Sequence, residues 1–127
     1  MSCVKGKNTK PEELVRKYLF SQGFRYRKND SRYPGKPDIV LPKYQTVIFV
    51  NGCFWHQHQN CRAATIPASN RDYWEKKLKR NVERDRAVRE QLENDGWRVI
   101  VLWECEISNK QKQEQRLLKL VEEIRDY

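Results

Sequence analysis

The chain has 127 residues, enough for one compact domain, and 38% hydrophobic against 34% charged residues gives it a single core under a charged surface. With 26 Lys and Arg against 17 Asp and Glu the net charge is +9, which favours a polyanionic partner, because every phosphate neutralised by a cation releases condensed counterions. No run approaches the roughly 18 apolar residues of a membrane span, and MSCVKGKNTK lacks the apolar stretch of a signal peptide. A cytoplasmic protein with no membrane contact is expected. In that reducing setting Cys3, Cys53, Cys61 and Cys105 are read as metal ligands or free thiols rather than disulfides.

Residues 1–10 are basic and have no hydrophobic period, so they read as an arm on a single domain spanning 1–127. Thr9, Pro11 and Glu12 then make a helix start: an N-cap, a first-turn proline and a capping-box acid. The helix runs to about Gln22, with Leu14, Val15, Tyr18 and Leu19 on one face and Gly23 as its stop. Phe24 to Lys28 alternates apolar and basic residues, as an edge strand does. Turn residues fill Asn29 to Lys36. DIVL (38–41) and TVIFV (46–50) are short β-branched runs, read as neighbouring buried strands.

NGCFWHQHQNC (51–61) opens a loop that reaches about Asn70, long for a compact domain and therefore a sign of function or of a metal clip. Arg71 to Asp95 reads as a long helix closed by Gly96. RVIVLW (98–103) is nearly all apolar and reads as a central strand. Gln111 to Asp126 is an amphipathic helix carrying Leu117, Leu118, Leu120, Val121 and Ile124. The order α-β-β-β-loop-α-β-α describes a mixed α/β layer fold.

Three groups carry chemistry. Cys53 and Cys61 share the loop with His56 and His58, and Cys105 follows the last strand. Structural zinc takes four soft or borderline ligands in a tetrahedron. Three thiolates with one imidazole meet that need, and spacing leaves open which histidine binds. The other keeps a free ring suited to a general base. Asp38 opens a strand that otherwise wants apolar residues. It is either a turn cap or a ligand for a hard cation such as Mg²⁺, joined by a backbone carbonyl from the end of 46–50. Asp85 lies about 20° from Leu78 on the helical wheel, inside a stripe of Trp74, Leu78, Val82 and Leu92 with Asn81 at its edge. An inward carboxylate needs a partner: either a distant arginine or a histidine that it orients.

GKPDIVLPKYQTVIFVNGCFWH, NRDYW, NVERDR and GWRVIVLWECE together resemble the very-short-patch-repair (Vsr) DNA mismatch endonucleases, from about Asn8 to Ser108. The resemblance implies a restriction-endonuclease-like fold. It implies a strand-specific nick 5′ to the T of a T·G mismatch left by deamination of 5-methylcytosine. It implies catalytic Mg²⁺ on Asp38 and the Val50 carbonyl, His56 as base supported by Asp85, and Glu12 as an acid near the active site. Structural zinc falls to Cys53, His58, Cys61 and Cys105. Phe54, Trp55 and Trp74 match aromatics that wedge into the DNA stack beside the mismatch.

The chain departs from the family at Asn51, where histidine is usual near the scissile phosphate, and at Val50, where threonine is usual. Asn60 lengthens the His58-to-Cys61 spacing by one relative to some members, and the arm is short. The second acid and lysine that other restriction-like nucleases place on the 46–50 strand are missing, which favours an imidazole mechanism. Two other functions remain open: a Vsr-like nicking enzyme for a different mismatch or sequence, and a zinc-stabilised DNA-binding module without catalysis. Double-stranded DNA is the expected partner of a monomer, alongside a cognate cytosine-5 methyltransferase system and mismatch-repair factors.

Overall fold

A computed structural model describes residues 10–28, 33–59 and 61–125. The arm residues 1–9, with Thr9 and Cys3, lie outside the described residues, as do Asn60, Asp126 and residues 29–32 of the 29–36 turn. Helix α1 is Lys10–Ser21, followed by strands β1 (Arg27–Lys28), β2 (Ile39–Leu41) and β3 (Thr46–Asn51). Helix α2 is Arg71–Asn94, β4 is Arg98–Trp103 and α3 is Lys110–Arg125. No helix among the described residues is long and apolar enough to cross a membrane.

The fold is a small α/β arrangement around one mixed sheet in the order β1-β2-β3-β4. β1, β2 and β3 pair antiparallel, with Ile39 opposite Ile48 and Val40 opposite Val47. Pro42–Tyr44 forms a short 3-10 turn between β2 and β3, and Gln45 closes it in the left-handed region. β4 then runs parallel to β3, from Thr46 opposite Arg98 to Asn51 opposite Trp103. A parallel neighbour needs a crossover, and the loop with α2 supplies it.

Two cores cover the two faces of the sheet. Ile39, Leu41, Ile48, Ile100 and Leu102 pack under α1 and α3 with Val15, Leu19, Leu117, Leu120 and Ile124. Val40, Val47 and Val99 pack under α2 with Leu92, joined by the half-buried Phe49, Val88 and Val101. The strands alternate between these cores at a period of two.

Four expectations change. The apolar run 98–103 predicts a central strand, but among the described residues β4 pairs with β3 alone and forms the sheet edge. It is apolar throughout because helices cover both of its faces, a demand that a central position is not needed to create. The strand expected over Phe24 to Lys28 shortens to Arg27–Lys28, since Phe24 is drawn into the core beneath α1. On α3, Leu118 is 61% exposed, while Leu117 and Val121 turn inward. The buried face of α1 is also rotated from the expected stripe: Glu12, Val15, Arg16 and Leu19 are buried, with Leu14 and Tyr18 at its margin.

Candidate active site and metal cluster

The loop after β3 is folded by its own backbone. The His56 amide donates to the Gly52 carbonyl at 3.1 Å and the His58 amide to the Cys53 carbonyl at 2.9 Å. Gln57 takes a positive φ of 49°, and its side-chain amide donates to the Phe54 and Ala64 carbonyls at 2.7 and 3.1 Å. Asn81 on α2 donates to the Trp55 carbonyl at 3.1 Å, tying the loop to that helix. Gln57 and Asn81 thus hold a loop whose shape the Cys/His count alone does not specify. In this coil the two histidines point to different places.

His58 goes to the sulfurs. Its Nδ1 lies 3.4 Å from Cys105 Sγ and 3.7 Å from Cys53 Sγ, and its ring stacks on Trp103 with centroids 4.2 Å apart. The ligand atoms of Cys53, His58, Cys61 and Cys105 all lie within 4.8 Å of one another. Metal–sulfur and metal–nitrogen bonds of about 2.3 and 2.0 Å at a tetrahedral angle require an S···N edge of about 3.6 Å. The cluster therefore has the size and the donor set to hold a metal ion. Burial, then the neighbouring Cys53 and Cys61 groups, push the Cys105 thiol up to about 12. A bound cation reverses that balance by stabilising thiolates.

His56 goes to α2. Its Nδ1 lies 2.6 Å from Asp85 Oδ2. A carboxylate oxygen accepts, so Nδ1 carries a proton, and in the neutral ring Nε2 keeps its lone pair. The inward carboxylate of the α2 stripe thus pairs with a histidine rather than an arginine. His56, Asp85 and the buried Asn51 line a cleft of about 740 Å³ between α2 and the sheet, together with Arg84, Arg86 and Arg89.

Asp38 sits just before β2 and accepts a hydrogen bond from the Val50 amide at 2.6 Å. Its carboxyl is pushed from 3.8 up to about 7. Burial is the main cause, and the Glu12 carboxyl beside it adds to the rise. The Val50 amide and His56 act the other way. Glu12 is 3% exposed and its carboxyl raises that of Asp38, so it lies beside the site rather than serving only as a helix cap. Two carboxyls held together in a buried place attract a cation. Asp38, Glu12, Val50 and His56 therefore converge from four segments of the chain.

Phe54, Trp55 and Trp74 form a cluster of edge-to-face rings with centroids 5.3 to 5.8 Å apart. Tyr73, which the sequence pattern does not single out, extends it against Trp74 at 5.2 Å and is 58% exposed. Edge-to-face packing stiffens the group, and Trp55 and Tyr73 reach solvent.

A sequence model of the family described as DNA mismatch endonuclease Vsr matches residues 1–62. The chain is 57% identical over 126 residues to the type II nicking enzyme V.NmeAIP of Neisseria meningitidis serogroup A, covering 99% of this chain and 89% of that protein. It is 44% identical to the type II nicking enzyme V.XorIIP of Xanthomonas oryzae pv. oryzae, covering 96% and 89%. It is 38% identical to the DNA mismatch endonuclease Vsr of Escherichia coli, covering 88% and 71%. With paired carboxyls, a carboxylate-held histidine and a metal-sized Cys/His cluster on an α/β sheet, and with relatives of this identity over most of its length, the chain belongs to the Vsr family of DNA endonucleases.

Proposed function

We propose that this protein nicks one strand of duplex DNA on the 5′ side of the T in a T·G mismatch left by deamination of 5-methylcytosine. The observation that carries the chemistry is the His56–Asp85 pair at 2.6 Å, placed beside the Asp38–Glu12 carboxyls. Asp85 holds the His56 ring in one orientation and tautomer. Nε2 takes a proton from the attacking water. Asp38, with Glu12 and the Val50 carbonyl, is the seat for Mg²⁺, which when bound stabilises the charge developing on the phosphate. Cys53, His58, Cys61 and Cys105 hold structural zinc, which fixes the loop that carries His56.

Phe54, Trp55 and Trp74 serve as the wedge. A mismatched step costs less to unstack than a paired one, so the wedge selects the lesion without depending on groove contacts alone. The sheet order, with three antiparallel strands followed by a parallel β4, supports a restriction-endonuclease-like fold. The protein acts as a monomer, since a single asymmetric mismatch needs no two-fold symmetry. A cognate cytosine-5 methyltransferase system and mismatch-repair factors are its expected companions.

A second reading has its own support. Two of the similar proteins are named as type II nicking enzymes, and Asn51 stands on the cleft wall beside His56 where the family resemblance leads one to expect histidine. That reading is a nicking endonuclease for another mismatch or sequence. End-labelled T·G, other mismatched and fully paired duplexes, incubated with Mg²⁺ and the wild-type, Asp38→Ala, His56→Ala or Asp85→Asn protein, separate the two. Nicking confined to T·G and lost with Asp38→Ala and His56→Ala is expected. Nicking of paired DNA at equal rate selects the second reading, and no Mg²⁺-dependent nicking of any duplex rules out both.

A further inference from the structure

The buried face of α1 is Glu12, Val15, Arg16 and Leu19, and two of these four are charged. Arg16 is 5% exposed and Glu12 3%, and Arg16 Nη1 lies 3.5 Å from Glu12 Oε1, one helical turn along. The Glu12 carboxyl in turn lies beside Asp38, whose carboxyl it raises. A chain of three charged side chains therefore runs from inside the helix to the start of β2. Burying a guanidinium carries a large desolvation cost, and a pair that only fills the core is often replaceable by apolar residues without loss. The placement has a use if the guanidinium directs the carboxylate. Its planar donor fork constrains the orientation of a carboxylate as well as its charge, which a lysine ammonium does not.

We propose that Arg16 is a positioning residue for the cation seat: it aims the Glu12 carboxylate toward Asp38, so that both acids present oxygen to one divalent ion. This rests on the reading of Asp38 as that seat. Arg16 acts through Glu12 and not on the substrate. The two carboxylates match the charge of a divalent ion, and the guanidinium leaves the assembly one positive charge to set against a phosphodiester.

The test is Mn²⁺ binding to the zinc-loaded protein without DNA, followed by electron paramagnetic resonance of the free ion, with thermal melting in parallel. Arg16→Met and Glu12→Gln are each expected to weaken Mn²⁺ binding about 10-fold, the scale of a lost supporting contact. The double variant is expected to bind no more weakly than Glu12→Gln alone, because the arginine reaches the ion through that acid. A folded Arg16→Met protein with unchanged or tighter Mn²⁺ affinity overturns the proposal, since the arginine is then a packing element or merely a repelling charge. If Arg16→Met does not fold, Arg16→Lys decides: weakened binding supports the role of the fork and wild-type affinity overturns it. Asp38→Asn is the control for the underlying reading. Mn²⁺ binding that survives Asp38→Asn sinks the cation seat itself. Binding lost in Asp38→Asn but intact in Arg16→Met sinks only the role of Arg16.

Discussion

Asp38→Asn is expected to stabilise the Mg²⁺-free protein while abolishing its nicking activity. Burial, with the Glu12 carboxyl adding to it, raises the Asp38 carboxyl from 3.8 to about 7 in the folded chain. Between about pH 4 and 7 the folded state keeps a proton that the unfolded state has lost, so stability falls as pH rises through that window. A shift of about three units at about 1.4 kcal/mol each sets a ceiling of ~4 kcal/mol. Solvent at the half-buried carboxyl reduces this to roughly 2 kcal/mol. Asparagine is close in shape and neutral, and its oxygen still accepts the Val50 amide. Urea unfolding at pH 8, with zinc retained and Mg²⁺ absent, is therefore expected to show Asp38→Asn about 2 kcal/mol more stable than wild type, with a smaller gap at pH 5. Added Mg²⁺ should stabilise wild type and not the variant, because only a state that binds the ion gains from it. A variant less stable at pH 8, or an equal gap at both pH values, refutes the reasoning.

Arg98 donates to Thr46 Oγ1 at 3.2 Å and to the Ile124 carbonyl at 2.8 Å, and also to the Glu123 carbonyl, so it joins the end of α3 to β3. Arg98→Met is expected to lower stability by about 3 kcal/mol, since several charge-assisted bonds go at once; a loss below about 1 kcal/mol in chemical denaturation counts against that. Gly35 has φ +74°, and a Cβ there would lie 2.6 Å from Val88 Cγ1, so Gly35→Ala should cost about 2 kcal/mol through backbone strain and overlap. A wild-type melting temperature for Gly35→Ala contradicts this. Treatment with a strong chelator under reducing conditions is expected to release about one zinc per chain and to raise amide exchange over residues 52–61 before the sheet opens; metal analysis finding none in folded protein removes the zinc assignment.

Much of the site was legible because its residue types are unusual where they stand. Asp85 is a carboxylate in an apolar helical stripe, and its inward direction follows from 3.6-residue periodicity alone; the structure supplies His56 as its partner. Asp38 breaks an apolar strand, and its environment pushes its carboxyl up. The spacing of Cys53, Cys61 and Cys105 foreshadowed a cluster. Less was legible where a residue's fate depends on what packs against it. The run 98–103 is apolar both for a central strand and for an edge strand covered by two helices, and sequence does not distinguish them. Leu118 is as apolar as Leu117 but faces away from the sheet. Tyr73 is the neighbour of Trp74 on α2, and it joins an aromatic cluster only once the loop brings Phe54 and Trp55 to Trp74.

The amino-acid sequence by itself determined the α/β order, the basic surface, the inward Asp85 and a Cys/His set fit for metal, since period, charge and donor type are local properties of the chain. Spacing and donor type did not decide which histidine meets the sulfurs and which meets Asp85; the family resemblance assigned those places to His58 and His56, and the tertiary structure supplies the reason, because a single turn of the loop, held by Gln57 and Asn81, sends two histidines two residues apart to opposite neighbours. The same is true of Glu12. Its spacing from Thr9 suffices for a helix cap, and only the packing of α1 against β2 carries its carboxylate to Asp38, bringing the buried Arg16 with it.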